Sequence, residues 1–259
     1  MSIQQDDVSR KKIAIVTGGS RGIGRSVVVS LARRGVDSIF TYNANMTEAE
    51  KVVGLVAEAG QTATALQLDA GNVGSFDEFV QGVRRALEDL GATRFDYLVN
   101  NAGNNHHNMP FDQATEEELD SIYNVHFKGV FFLTQKLLPL INDGGRIVNV
   151  STARTRLISV GGAAYGSMKA AVEVLTKYMA KELGPRKIAV NVVAPGATET
   201  DFSGGIVRDN PAMNKRVAEG TALGRAGLPE DIGRMVASLL SEENRWVNAE
   251  RIEVTGGYV

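Results

Sequence analysis

Tyr165 and Lys169 stand four residues apart in the stretch AAYGSMKAA, residues 163–171. On an α-helix, positions i and i+4 share a face, so this spacing brings a phenol and an ammonium together. The pair suits proton transfer. A free phenol ionises near ~10, and lowering that by ~3 units takes about 4 kcal/mol. A cation ~4 Å away at an effective dielectric of about 20 supplies a contribution of that order. Lys169 is therefore expected to depress the Tyr165 pKa. Reducing a ketone needs a proton on oxygen, which such a phenol can give, and a hydride on carbon, which a nicotinamide gives. Ala163, Ala164, Gly166 and Ala170 leave room around the pair for a ligand or another helix. A Tyr-x-x-x-Lys pair is also an ordinary exposed helix face, so the chemistry needs companions elsewhere.

One companion is TGGSRGIG, residues 17–24, lying between an apolar run and a helical one. Gly18, Gly22 and Gly24 lack a Cβ, which permits a tight turn and lets backbone N–H groups approach a pyrophosphate at a helix N-terminus. After a strand and before a helix, such a cluster signals a dinucleotide site. The end of the second apolar run, FTYNAN (40–45), carries no acid to hold a ribose 2′-hydroxyl, and Asp37 comes too early. That absence admits NADP(H) and makes NAD(H) the less favoured cofactor. Arg21 either pairs with the 2′-phosphate or with a surface acid, and Asn43 can add a hydrogen bond.

The elements that must position these residues alternate. Short apolar runs begin at Ile13, Ser38, Ala63, Asp96, Arg146, Ile188 and Arg251, with helical stretches between most of them. Apolar runs without alternation suit parallel strands covered on both faces. The spacing thus predicts an α/β chain, a single-domain doubly wound parallel sheet of about seven strands. Thr47 with Glu50, Ser75 with Glu78 and Thr115 with Glu118 match the capping-box pattern. A long helix is expected from about Ala163 to Leu183, its core face formed by Met168, Val172, Leu175 and Met179. The segment 197–227 has the poorest regularity and is expected to form a mobile lid.

Composition narrows the rest. The 259 residues carry a formal net charge of -2 and contain no cysteine. A nucleic-acid partner is not expected, and disulfides, thiolate metal sites and a cysteine nucleophile are excluded. His106, His107 and His126 show no zinc-ligand spacing, so no metal is expected. The N-terminus lacks a secretory apolar core, and no run reaches the ~18 apolar residues of a membrane span. The expectation is a cytoplasmic protein without a membrane partner.

TGGSRGIG, NNAG (100–103) and Tyr165-Gly166-Ser167-Met168-Lys169 together resemble the motifs of the short-chain dehydrogenase/reductase family, in its order and spacing. APGATET (194–200) and IEVTGGYV (252–259) extend the likeness over nearly the whole chain. The resemblance implies a Rossmann-type domain that transfers hydride between NAD(P)(H) and a ketone/alcohol pair, in the manner of 3-oxoacyl-carrier-protein reductases. It implies cofactor contacts from Gly18, Ser20, Arg21, Gly22, Ile23 and Gly24 of the turn. Asp69 would contact adenine, and Asn101, Ala102 and Gly103 would line the cofactor. Pro195, Gly196, Thr198 and Thr200 would neighbour the nicotinamide. Lys169 would also hold the nicotinamide ribose, and the resemblance implies a homotetramer.

Two departures stand out. Where the family has a serine 13 positions before the tyrosine, this chain has Thr152, with Ser151 adjacent. Threonine keeps the donor and acceptor that hold a carbonyl oxygen, and strand alternation points Ser151 the other way. Where the family has the asparagine of N-x-x-G, completing a water-linked proton path, this chain reads HFKG (126–129). His126 either replaces the relay residue or is a packed histidine beside the site. His106 and His107 are loop residues or substrate contacts; Arg154 and Arg156 either read an anionic substrate group or are solvated. Beside the ketone reductase stands a second reading, a nucleotide-binding regulator or scaffold without turnover.

Overall fold

A computed structural model describes residues 11–104 and 109–258. His106 and His107 lie outside them. Seven strands form one sheet: β1 (Ile13–Val16), β2 (Asp37–Tyr42), β3 (Ala63–Gln67), β4 (Phe95–Asn100), β5 (Ile141–Val150), β6 (Ala189–Pro195) and β7 (Arg251–Val254). Their spatial order is β3-β2-β1-β4-β5-β6-β7, with every pairing parallel. The order reverses between β1 and β4, which opens a crevice at the C-terminal strand ends.

Successive strand residues serve opposite faces, which is why the inner strands are apolar at most positions. Val16, Phe40, Val99, Val148 and Val193 pack on one side with Val28 and Leu31 of α1 (Gly22–Ala32), Val52 and Val56 of α2 (Met46–Glu58), and Ile232 and Val236 of α9 (Pro229–Leu239). Ile15, Leu98, Ile147 and Val190 pack on the other with Phe76 and Val83 of α3 (Phe76–Asp89), Leu133 and Leu137 of α5 (Gly129–Leu137), and Ala180 of α6 (Ala163–Glu182).

Helix starts follow the sequence in part. Thr115 accepts the Glu118 N–H at 3.2 Å and caps α4 (Glu116–Tyr123). At α2 the cap is Asn45 rather than Thr47, its Oδ1 accepting the Glu48 N–H at 3.1 Å. Ser75 precedes α3 but spends its hydroxyl on the Asn72 carbonyl, 2.8 Å away. Between α4 and α5 the helix widens into a π turn, Asn124–Lys128.

The stripe of α6 facing the sheet is not the expected one. Its buried residues are Tyr165, Lys169, Val172, Thr176 and Ala180, while Met168, Leu175 and Met179 are half-buried. Polar groups occupy the inner face because it covers strand ends that carry polar partners: Thr176 Oγ1 accepts from Asn149 Nδ2 at 2.8 Å. The segment 197–227 is likewise more regular than expected. It holds α7 (Ile206–Asp209) and α8 (Pro211–Glu219). Asn210 Oδ1 accepts the Ala212 and Met213 N–H groups, and Pro211 sits at the first helical position, so this proline opens a helix instead of breaking one. Among the described residues no helix is long and apolar enough to cross a membrane.

Candidate functional site

The glycine turn is built from missing side chains. Gly18 (φ +65°) and Gly22 (φ +55°) occupy the left-handed region. A Cβ on Gly24 would lie 2.1 Å from the Gly18 carbonyl oxygen, so the first turn of α1 can approach the loop only with glycine there. Neighbours lock the loop. Thr41 Oγ1 accepts the Gly18 N–H at 2.9 Å, and the Thr41 carbonyl accepts the Gly19 N–H at 2.8 Å. Thr17 Oγ1 accepts the Asn101 and Ala102 N–H groups at 2.9 and 3.0 Å. Asn101 Nδ2 donates to the Thr17 and Gly18 carbonyls at 3.0 and 3.1 Å. The Asn101 side chain therefore braces the turn, leaving its backbone and Ala102 at the crevice. No side chain caps α1. Its free N–H groups and the side-chain-free cradle fit a pyrophosphate. Ser20 is buried within the turn, and Ile23 packs onto the core.

The outlying cofactor candidates are placed as follows. Arg21 is exposed, with Nη1 3.7 Å from Asp201 Oδ2, so in this arrangement it has the surface-acid partner that was its alternative reading. Asp37 is buried at the entrance of β2, where it accepts the Thr62 N–H, far from a ribose at the strand's exit. Asn43 is exposed past the end of β2, and its carbonyl accepts from Gln67 Nε2. Asp69 is exposed after β3 and accepts the Gly71 N–H at 2.9 Å. Pro195 ends β6; the Gly196 N–H bonds the Val254 carbonyl, and Thr198 Oγ1 donates to the Gly196 carbonyl. Thr200 then crosses over the glycine turn, its Cγ2 3.4 Å from where a Gly22 Cβ would stand.

Tyr165 and Lys169 come together in a dehydrated corner, 7% and 4% exposed. Lys169 Nζ lies 5.9 Å from the centre of the Tyr165 ring and donates to the Val150 carbonyl at 2.8 Å. An ammonium has three donors, so two remain for a ligand. Thr152, two residues beyond β5, hydrogen-bonds the Tyr165 phenol. Its Oγ1 also accepts the Arg154 N–H at 3.3 Å, which leaves its own O–H to be donated. Ser151 points away, donating to Glu173 Oε1 at 2.6 Å. Of the two hydroxyls, Thr152 faces the phenol.

His126 is 1% exposed, on the π turn. Its ring stands edge-on to Tyr165, 5.1 Å between centres and 87° between planes. Its Nε2 lies 2.8 Å from Asn104 Oδ1, a carbonyl oxygen, so Nε2 carries the hydrogen. A Cβ on Gly103 would come within 2.9 Å of His126 Cε1; Gly103 makes room for the imidazole. Phe202 flanks Tyr165 at 5.8 Å.

The expected depression of the Tyr165 pKa is not found for the chain by itself. Burial raises it to about 12, and the Arg154 charge and the Thr152 bond only partly oppose this. Burial also lowers Lys169 to about 8. Dehydration disfavours both charged forms and here outweighs their attraction. Arg154 is held by Ser159 Oγ, 2.8 Å from Nη2, whereas Arg156 is exposed with Glu253 3.5 Å away.

The sequence reading passed over Thr17, Thr41 and Phe202. Thr17 opens the TGGSRGIG motif and was legible there. Thr41 and Phe202 carry no local signal, since their partners lie on other elements. No cluster of three or more metal-ligating side chains occurs among the described residues.

Comparison with known proteins agrees with this geometry. Residues 18–259 match the family model described as enoyl-(acyl carrier protein) reductase. The hydroxynaphthalene reductase-like protein Arp2 of Metarhizium guizhouense is 35% identical, over 96% of this chain and 95% of that protein. Among solved structures, the promiscuous reductase LugOII, which catalyses keto-reduction at C1 during lugdunomycin biosynthesis, superposes with a TM-score of 0.90 at 37% identity, covering 95% of this chain and 97% of that one. The angucycline C-6 ketoreductase LanV with bound NADP gives a TM-score of 0.90 at 34% identity, covering 95% of each chain. With the glycine cradle, the braced NNAG turn and the Thr152–Tyr165–Lys169 corner on one crevice, the chain belongs to the short-chain dehydrogenase/reductase family of oxidoreductases.

Proposed function

We propose that Tyr165 gives its phenolic proton to the oxygen of a bound ring ketone, that Thr152 holds that oxygen, and that Lys169 keeps a positive charge beside both. The protein is an NADP(H)-dependent oxidoreductase of ketone and secondary-alcohol groups. NADPH supplies the hydride when bound. Its cradle is Gly18, Ser20, Gly22, Ile23 and Gly24, with Asn101, Ala102, Gly103, Pro195, Gly196, Thr198 and Thr200 along the crevice. Arg21 and Asn43 are assigned to the 2′-phosphate, Arg21 leaving Asp201, and Asp69 to the adenine end.

The observation that carries this reading is the Thr152–Tyr165–Lys169 corner itself. A phenol whose pKa lies at about 12 remains protonated at neutral pH, so it is charged with the proton that reduction requires. Thr152 can donate to the same oxygen. A ring-ketone substrate is suggested by the named activities of the relatives and by the Phe202 ring, which lies 5.8 Å from Tyr165. We assign His126 to the proton path in place of the family's asparagine. A regulator without turnover gains nothing from a corner in which both ionisable groups are buried and partnered. The test is NADPH oxidation with 2-tetralone and other fused-ring ketones. Turnover should fall by about 10²–10⁴-fold in Tyr165→Phe. Equal turnover with NADH would remove the NADP assignment.

A homotetramer and cytoplasmic residence belong to the same proposal. Leu119, Tyr123 and Phe131 on α4 and α5, with Val174 and Tyr178 on α6, are exposed large apolar side chains, which supports association through these helices.

A further inference from the structure

Beneath Thr152 lies a polar cluster that the reaction scheme does not use. Glu173 is on α6, at i+8 from Tyr165 and i+4 from Lys169, the next position along that side of the helix. One carboxylate oxygen, Oε1, accepts from Ser151 Oγ at 2.6 Å and Thr155 Oγ1 at 2.9 Å, and it is ion-paired with Arg251, whose Nε lies 2.9 Å away. Arg251 comes from β7. Its Nη2 donates to the Thr152 carbonyl at 3.2 Å and to Thr155 Oγ1 at 2.9 Å, and its Nη1 donates to Glu253 at 2.5 Å. The side chains of Arg251 and Glu173 are 9% and 16% exposed.

The ladder between β5 and β6 reaches the Ser151 N–H on the Val193 carbonyl and then the chain turns. Thr152, in extended conformation, is followed by a single 3₁₀ turn, Ala153–Thr155. From here side chains hold the loop. Ser151, the Thr152 carbonyl and Thr155 are all tied to the same ion pair, whose acid is on α6 and whose arginine is on β7, 99 residues beyond Thr152. A charge pair largely removed from water persists where other groups solvate it, and here the loop that carries the Thr152 hydroxyl supplies four such contacts while Glu253 supplies another.

We propose that Glu173 and Arg251 are positioning residues: by clamping residues 151–155 they hold the Thr152 hydroxyl on the reacting oxygen. This rests on the assignment of Thr152 to the substrate carbonyl. The clamp sets kcat and leaves the glycine cradle untouched, because none of its contacts reaches the turn.

Three variants measured with NADPH and a fused-ring ketone decide it. Thr152→Ala alone tests the underlying assignment, and an unchanged kcat there would remove that assignment and the clamp's target with it. Given a loss in Thr152→Ala, Arg251→Met should lower kcat by about 10- to 100-fold, as expected for a displaced catalytic group. Its NADPH dissociation constant, read by fluorescence, should stay within about twofold of the unsubstituted protein. Adding Arg251→Met to Thr152→Ala should cost less than about twofold more. Arg251→Lys, which keeps the charge but not the fork, should recover part of the loss. If Arg251→Met does not fold, Thr155→Val carries the same test, with a smaller fall in kcat that also vanishes in the Thr152→Ala background. An unchanged kcat, or the same factor lost with and without Thr152, overturns the proposal.

Discussion

The two ends of the crevice are held in opposite ways. The cofactor turn is fixed by shape: glycines where a Cβ would strike backbone, and hydrogen bonds between neutral groups such as Thr17, Thr41 and Asn101. The end that carries the phenol is fixed by charge: a buried ammonium on the Val150 carbonyl and a half-buried carboxylate and guanidinium under the loop. Shape tolerates no added atom and is indifferent to pH. Charge tolerates some change of shape and depends on protonation and on partners from distant strands.

Three experiments would break or sharpen that contrast. The largest effect is expected at Lys169. The kcat/KM for NADPH reports groups of the free enzyme, and Lys169, lowered to about 8, is cationic below that pH and loses its charge above it. The profile should therefore fall as pH rises through about 8. Lys169→Met should lie about 10³-fold lower at neutral pH and show no such step. A step surviving in Lys169→Met would show that another group titrates there. Next comes Gly24→Ala, whose methyl would meet the Gly18 carbonyl at 2.1 Å. It should weaken NADPH binding by about 100-fold and cost about 1–3 kcal/mol of stability in denaturant melts, while the pH step of any residual activity stays at its place. Smallest is Thr41→Val, which deprives the Gly18 N–H of its acceptor. It should cost about 1–2 kcal/mol and raise the NADPH dissociation constant a few-fold, equally at pH 6 and pH 9.

The same contrast explains what could be read from the residues alone. The inner strands were legible because parallel strands buried on both faces are largely apolar; the edge strands β3 and β7 are only half-buried and carry polar residues among apolar ones. The glycine turn was legible because only glycine fits its geometry, so the constraint is written in residue type. Tyr165 and Lys169 were legible through spacing on one helix, and Thr152 only through the family resemblance, as the residue 13 positions before the tyrosine. Glu173 shares that helix spacing and was passed over, since an acid on a helix is ordinary until its partners are known. Arg251 offered no signal, as its role exists only once β7 lies beside β6. The pKa of Tyr165 was expected to fall because the pairwise attraction was counted and the dehydration was not. Within 197–227, α8 opens on Pro211 with Asn210 as its cap, a start that the irregular surroundings did not mark in the sequence.

The wide turn at Asn124–Lys128 has a consequence for how this site can change over generations. A π turn houses one residue more than α-winding would, and each residue advances a helix by about 100°. Deleting a single codon there would rewind the segment and swing the imidazole off the phenol without altering any residue that touches substrate. The placing of that ring thus depends on the length of the stretch as well as on the identity of residue 126.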